Sequence, residues 1–290
     1  MKRTLSLLMA VLMLTAVVLT GCSSGGTTSG AASSDASSAS SKAESESSAA
    51  EENDLLAQIK EKGTITVAME GTWAPWTYHD ADDNLVGYDV EVAQNIAEKL
   101  GVEVNFVEGE WDGLLAGLDA GRYDIMVNGV DITPERAEKY DFSTPYAFNR
   151  TAVITKADDD SINTLEDLKG KKTANTISST YAELAEQYGA TVTGVDDLNQ
   201  TFELLLSGRI DATLNAEMTF YDYTKEHPDA NVKIAVLTDD ANRIAIPMRK
   251  GDETAALRTA IDAAIDELRA DGTLKALSEK YFGRDISTEE

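Results

Sequence analysis

DIMVNGVDITPERAEKYDFSTPY, residues 124–146, joins a buried-strand pattern directly to a helix start that carries an arginine. Ile125, Met126 and Val127 read as a short apolar strand, 128–132 as a turn, and Thr133-Pro134 as an N-cap with proline at the first helical position. Arg136 then falls on the first turn of that helix. Free backbone N–H groups and the positive end of the helix dipole favour an anion there. A guanidinium adds a planar fork that can hold both oxygens of one carboxylate. The stretch therefore predicts a strand, turn and helix suited to capturing a small carboxylate.

Upstream of it, residues 65–69 read as a strand and 70–78 as a loop rich in aromatic residues, where a site is expected to begin. Val90, Ala93, Ile96, Ala97 and Leu100 keep the spacing of one helix face, Gly101 stops that helix, and Val102, Val104 and Phe106 alternate as a strand. Residues 111–118 form a second short helix with Leu114, Leu115 and Leu118 as its apolar stripe. Strand, helix, strand, helix, strand predicts a parallel sheet.

Downstream the same grammar restarts as a second α/β unit, with a strand at 151–155, a helix opening at Thr164-Leu165-Glu166-Asp167 and a strand at 172–177. Ser178-Ser179-Thr180 caps a helix ending at Gly189, and 198–206 supplies another. Strands are expected at 210–214, 232–236 and 244–248, and terminal helices at 255–268 and 274–281. Sequence order alone allows two consecutive domains.

The ends and the composition bound the function. Lys2 and Arg3 precede an almost unbroken apolar run at 5–19, which reads as a secretion signal and falls short of the roughly 20 residues of a membrane span. From Ser23 to about Asn53 the chain is mostly Ser, Gly, Ala and Thr, with Glu towards its end, a composition that cannot offset its ordering entropy and reads as a flexible tether. With 25 basic and 51 acidic residues the net charge is −26, which argues against nucleic acid as a partner and fits solubility. One cysteine excludes an internal disulfide. His79 and His227, the only histidines, have no acid or cysteine set at ligand spacing, so neither a metal site nor a catalytic dyad is expected.

The 124–146 segment resembles the corresponding part of the extracellular amino-acid-binding proteins of ABC importers, solute-binding protein family 3. Within that family the chain is similar to the cystine-binding and related polar-amino-acid-binding lipoproteins, over about 54–284. Leu19-Thr20-Gly21-Cys22 likewise resembles a lipobox, which implies a signal peptide at 1–21, a lipid anchor on Cys22 and a tether at 22–53. The fold implied is α/β, of the periplasmic-binding-protein type II, with two lobes, a two-strand hinge and the ligand in the interlobe cleft. Lobe 1 would be discontinuous, 54–148 and 243–290, and lobe 2 would occupy 149–242.

Residue by residue, the resemblance implies that Arg136 pairs with the ligand α-carboxylate. Asn128, Gly129 and Asp131 match the polar turn that bonds the head group, and Ser178, Ser179 and Thr180 match a turn on the second lobe facing the same carboxylate, although helix capping alone would also explain them. Trp73 and Trp111 match positions that stack around the ligand side chain, while Trp76 matches an aromatic that is structural as readily as functional. Tyr78, Tyr146 and Phe148 read as packing or rim. Glu70 matches a position where basic-amino-acid binders place an acid, or is a solvated loop acid. The informative departure is Ala216, where most relatives carry the aspartate that holds the α-ammonium. An unpaired buried ammonium is costly, so another acid is expected to replace it: Asp131 first, Glu217 second.

The function implied is that of an importer's substrate-binding component. It would capture a polar amino acid, cystine-like or other, and deliver it to a membrane permease. Such a protein is a monomer, requires no cofactor and is no enzyme. It would be held outside the cytoplasm, with a Gram-positive surface favoured over a periplasm by the long serine-rich tether. The alternatives are an enzyme on the same fold, similar to cyclohexadienyl dehydratase, and a ligand-sensing surface lipoprotein.

Overall fold

The computed structural model describes residues 54–289; the signal segment 1–21, Cys22 and the tether lie outside the described residues. Strand Thr64–Met69 is buried from Ile65 onward on both faces, as expected for the middle of a parallel sheet. Strands Glu103–Glu108 and Ile125–Met126 flank it, both parallel. Helix Tyr88–Leu100 covers the sheet with the face predicted by its apolar spacing and ends at Gly101, whose φ of 75° a side chain rarely adopts. The helices Ala255–Ala270 and Thr273–Phe282 pack on that same helix, so they share one core with the first sheet.

A second sheet is built on Thr151–Lys156, paired antiparallel with Thr213–Ala216 and Val232–Leu237. Beside it Lys172–Asn175 and Thr191–Gly194 pair in parallel, and a bridge from Thr173 to Ala212 connects the two. Ile154, Phe202 and Leu205 centre a core on one face of this unit, while Val153, Leu168 and Leu214 centre another. Between the units, Ala147–Asn149 and Asn242–Ile244 run side by side, antiparallel. These are the two crossing strands that make the fold one of two lobes, and they leave the last helices with the first sheet.

Several local expectations needed correction. The aromatic loop at 70–78 contains strands Thr72–Trp73 and Thr77–His79, which form a meander with Leu85–Val86. The predicted strand 210–214 lies at Thr213–Ala216, and 244–248 is split into Asn242–Ile244 and Pro247–Arg249, which pair with different partners. The helix opening at Thr164 is a single 3-10 turn, Leu165–Leu168, closed by a reciprocal Thr164/Asp167 capping box. Helix Glu217–Glu226 was not anticipated: Ala216 offers no capping side chain, and Thr, Phe and Tyr in its sequence favour strands. Strand Thr191–Gly194 was missed because its four residues are mostly exposed and carry no apolar alternation.

The carboxylate of Asp89 is sealed into the first lobe. Tyr146 Oη donates to its Oδ1 at 2.8 Å. Burial pushes Asp89 up to about 7, against the opposing hydrogen bonds from Tyr146 and the Gly129 backbone. An acid whose folded-state pKa lies above its unfolded value of about 3.9 takes up a proton on folding, so its stabilising contribution is complete below that value. That contribution is lost as pH rises through about 7. Asp89→Asn should therefore gain roughly 1–3 kcal/mol of stability at pH 8 relative to its difference from the parent at pH 4. Urea titrations at the two pH values check this; equal differences at both would contradict it.

Candidate functional site

Thr133 and Pro134 set the entry of helix Pro134–Lys139: Thr133 Oγ1 accepts from the Arg136 N–H at 3.2 Å, and proline occupies the start. The helix is only six residues long, so attraction for an anion rests on the guanidinium more than on a dipole. Arg136 is buried, donates from one terminal nitrogen to the Asp131 carbonyl (3.2 Å) and from the other to the Ser178 carbonyl on the second lobe (3.3 Å). Its guanidinium lies 5.3 Å from the centre of the Trp111 ring. Among the described residues Arg136 enters no ion pair. A structural salt bridge is thus not what holds it, and a buried cation is left facing the cleft.

Asp131, also on the cleft wall, is buried and likewise in no ion pair. Its Oδ2 accepts from Thr180 Oγ1 at 2.5 Å and from Asn242 Nδ2 at 3.3 Å. Burial raises its pKa to about 6, partly opposed by Thr180, the Arg136 charge and Asn242. Ala216, at the position of the absent aspartate, is fully buried. One turn of the first lobe therefore presents a cation and an acid, neither of them in an ion pair among the described residues.

Glu70 lines the same cleft, held by its neighbour: Asn128 Nδ2 donates to Glu70 Oε2 (2.8 Å) and Asn128 Oδ1 accepts from the Glu70 N–H (2.7 Å). Burial, with the Asp112 charge adding to it, raises Glu70 to about 7 against the Asn128 hydrogen bond. It is not a solvated loop acid. Asn128 itself is fully buried and is not on the cleft wall; it orients Glu70. Trp73 and Trp111 both line the cleft, and Trp111 Nε1 is buried without a hydrogen-bond partner. Trp76 is core: fully buried, it stacks under Trp73 with ring centres 5.2 Å apart.

Gly129 lies where the turn passes Trp73. A Cβ there would come within 2.6 Å of the indole Cζ3, and its φ of +55° is one that side chains rarely adopt. Gly129→Ala should cost about 1–3 kcal/mol in urea unfolding. A variant within about 0.5 kcal/mol of the parent would contradict this packing.

On the second lobe Ser179 caps helix Thr180–Gln187 by accepting from the Ala182 N–H (3.1 Å), and Thr180 reaches Asp131. Ser178 is exposed and off the cleft wall; its carbonyl meets Arg136 and its hydroxyl donates to Asp112 at 2.7 Å. Glu217 is not in the cleft. Its buried carboxylate faces away, held by Arg150 Nε (3.2 Å), by Arg284 (3.4 Å) and by the Tyr221 hydroxyl (3.1 Å) beside the crossing strands. An acid so neutralised has no free charge for an ammonium, so the second candidate falls. Sequence reasoning missed Asn175, Thr176, Thr201 and Asn215, which line the cleft from the second lobe. For Asn175 and Asn215 the available signal was a polar residue near the end of a buried strand, the usual place for ligand contacts in α/β folds.

In the cleft, the cross-lobe contacts Arg136–Ser178, Thr180–Asp131, Ser178–Asp112 and Trp73–Asn215 hold the lobes closed. A sequence model of the bacterial extracellular solute-binding proteins, family 3, matches residues 65–284. The L-cystine-binding protein TcyA of Bacillus subtilis is 41% identical over 239 residues, 82% of this chain and 88% of that protein. Among solved structures, an ancestral arginine-binding protein bound to arginine is 37% identical with a TM-score of 0.71, covering 76% of this chain and 99% of that one. The L-cystine solute receptor of Neisseria gonorrhoeae, unliganded and open, is 44% identical with a TM-score of 0.57, covering 81% and 99%. The more identical of the two structures superposes less well, as expected when an open form is laid on closed lobes.

Proposed function

Because the chain belongs to the bacterial extracellular solute-binding proteins, family 3, we propose that it is the substrate-binding component of an ABC importer that captures a free polar amino acid, cystine first among the candidates. The observation that carries this reading is the pairing of Arg136 with Asp131: two buried groups of opposite charge, neither in an ion pair, on one turn of one cleft. A zwitterion supplies both missing counter-charges. Arg136 would take the α-carboxylate in its fork, Asp131 the α-ammonium, and Trp73 and Trp111 would flank the side chain. The second lobe would add Ser179 and Thr180 at the head group, while Asn128, Ser178 and Gly129 shape and position it. Lobes divided at 54–148 with 243–290, and 149–242, would close about the two crossing strands, and ligand binding would shift the population towards the closed form that a permease reads.

No helix among the described residues is long and apolar enough to cross a membrane. Anchoring would then come from a lipid on Cys22, with 22–53 as tether and 1–21 removed as signal peptide, leaving a monomer on the outer face of a membrane, a Gram-positive surface by preference. An enzyme on this scaffold, the second reading, would need Glu70 or Asp131 as acid or base, and the raised pKa of each buried carboxyl in the cleft is what favours it. Mass spectrometry of the small molecule released from denatured protein separates the two. A free amino acid is expected; turnover of a cyclic carboxylic acid by the purified protein would decide for the enzyme.

A further inference from the structure

Two asparagines of the second lobe stand on the cleft wall with their amide orientations fixed by unambiguous partners. Asn175, the last residue of its strand, is 2% exposed and donates through Nδ2 to the Leu214 carbonyl at 2.6 Å. A carbonyl can only accept, so the nitrogen must lie there, and Oδ1 is left buried with no partner. Asn215 is fixed the other way round. Its Oδ1 accepts from the Ala216 N–H (2.8 Å) and from Trp73 Nε1 (3.2 Å), two groups that can only donate. Its Nδ2 makes no hydrogen bond among the described residues and, unlike Asn175 Oδ1, is not sealed from solvent. The neighbouring strand ends thus offer one unpaired acceptor and one unpaired donor, beside the Trp73 ring and apart from the turn that carries Arg136 and Asp131.

We propose that Asn175 and Asn215 are specificity-determining residues that select amino acids whose remote end both donates and accepts hydrogen bonds, such as a carboxamide or a second ammonium-carboxylate head group. The inference rests on the reading of the cleft as an amino-acid site. A guanidinium or ammonium end can satisfy Asn175 Oδ1 but turns donors towards Asn215 Nδ2; a carboxylate end satisfies Asn215 Nδ2 and faces the Asn175 oxygen. A carboxylate end leaves the buried Asn175 Oδ1 unpaired and a cationic end sets donors against Asn215 Nδ2, faults that sites built from hydrogen bonds reject strongly. Glu70 adds an acceptor on the opposite wall and suits the ammonium of a second head group, whereas only Asn215 adds the donor.

Calorimetry of the whole protein against L-cystine, L-glutamine, L-arginine, L-lysine and L-glutamate tests the proposal. Cystine or glutamine is expected to bind about tenfold or more tighter than arginine, lysine and glutamate. Asn215→Asp keeps the acceptor used by Trp73 and Ala216 and converts the free donor into an acceptor, so it should shift the preference at least about tenfold towards arginine and lysine. An arginine or lysine preference in the parent protein, or an unchanged ratio in a folded Asn215→Asp, overturns the proposal while leaving the amino-acid reading intact. Binding of no member of the panel overturns both.

Discussion

Replacing Arg136 with alanine is expected to weaken amino-acid binding by roughly 2–5 kcal/mol, about 30-fold to several thousand-fold. The size follows from burial. The guanidinium is 8% exposed, is fixed by two backbone carbonyls and lies over Trp111, so it is pre-aimed and loses little freedom when a carboxylate arrives. Arg136→Lys keeps the charge without the fork and should fall between the two. The affinity loss should come without a matching loss of fold, because Arg136 is in no ion pair among the described residues and Asp131, which feels its charge, keeps the Thr180 and Asn242 hydrogen bonds. Titration of each variant with a tight ligand of the parent checks this, and parental affinity in Arg136→Ala would remove the carboxylate site from the account.

Asp131→Asn should cost less, about 1.5–3 kcal/mol or some 10- to 150-fold, since the ammonium keeps dipolar partners but loses a charge. The stronger signature is its pH dependence. Burial holds Asp131 at about 6 in the free protein. Binding an ammonium favours the ionised form, so affinity should be complete above that value and fall as pH drops through it. Facing Asp131 are Thr180 and Asn242, which hydrogen-bond it, and the Arg136 and Glu183 charges; Glu70 titrates nearby at about 7. The diagnostic is therefore the difference between parent and variant, which removes the Glu70 contribution: Asp131→Asn should show the shallower decline between pH 7 and pH 5. If it binds as the parent does while Arg136→Ala does not bind, the ammonium is held elsewhere.

Much of this site was legible because its parts are local. Thr133, Pro134 and Arg136 lie within four residues, and capping chemistry alone fixes where the guanidinium starts. Strand Thr64–Met69 and helix Tyr88–Leu100 followed from runs of apolar residues long enough to have a period. Asn175 and Asn215 were not legible, since what makes them a pair is strand registry across 39 positions, from Asn175 to Leu214, and the burial that orphans Asn175 Oδ1. Glu217 misled for the same reason in reverse. Its position in the sequence beside Ala216 placed it near the head group, but the first residue of helix Glu217–Glu226 turns its carboxylate to Arg150 and Arg284. The family resemblance implied a discontinuous first lobe, whereas composition and order alone left consecutive domains open.

The central claim is that a single turn of the first lobe grips both charges of a free amino acid. It is tested most directly by calorimetry with one amino acid that binds and its two blocked forms, the α-carboxamide and the N-acetyl derivative. The account predicts one ligand per protein for the free amino acid and a loss of at least about 2 kcal/mol for each blocked form, because each leaves Arg136 or Asp131 buried without its counter-charge. Blocked and free forms binding alike would contradict it.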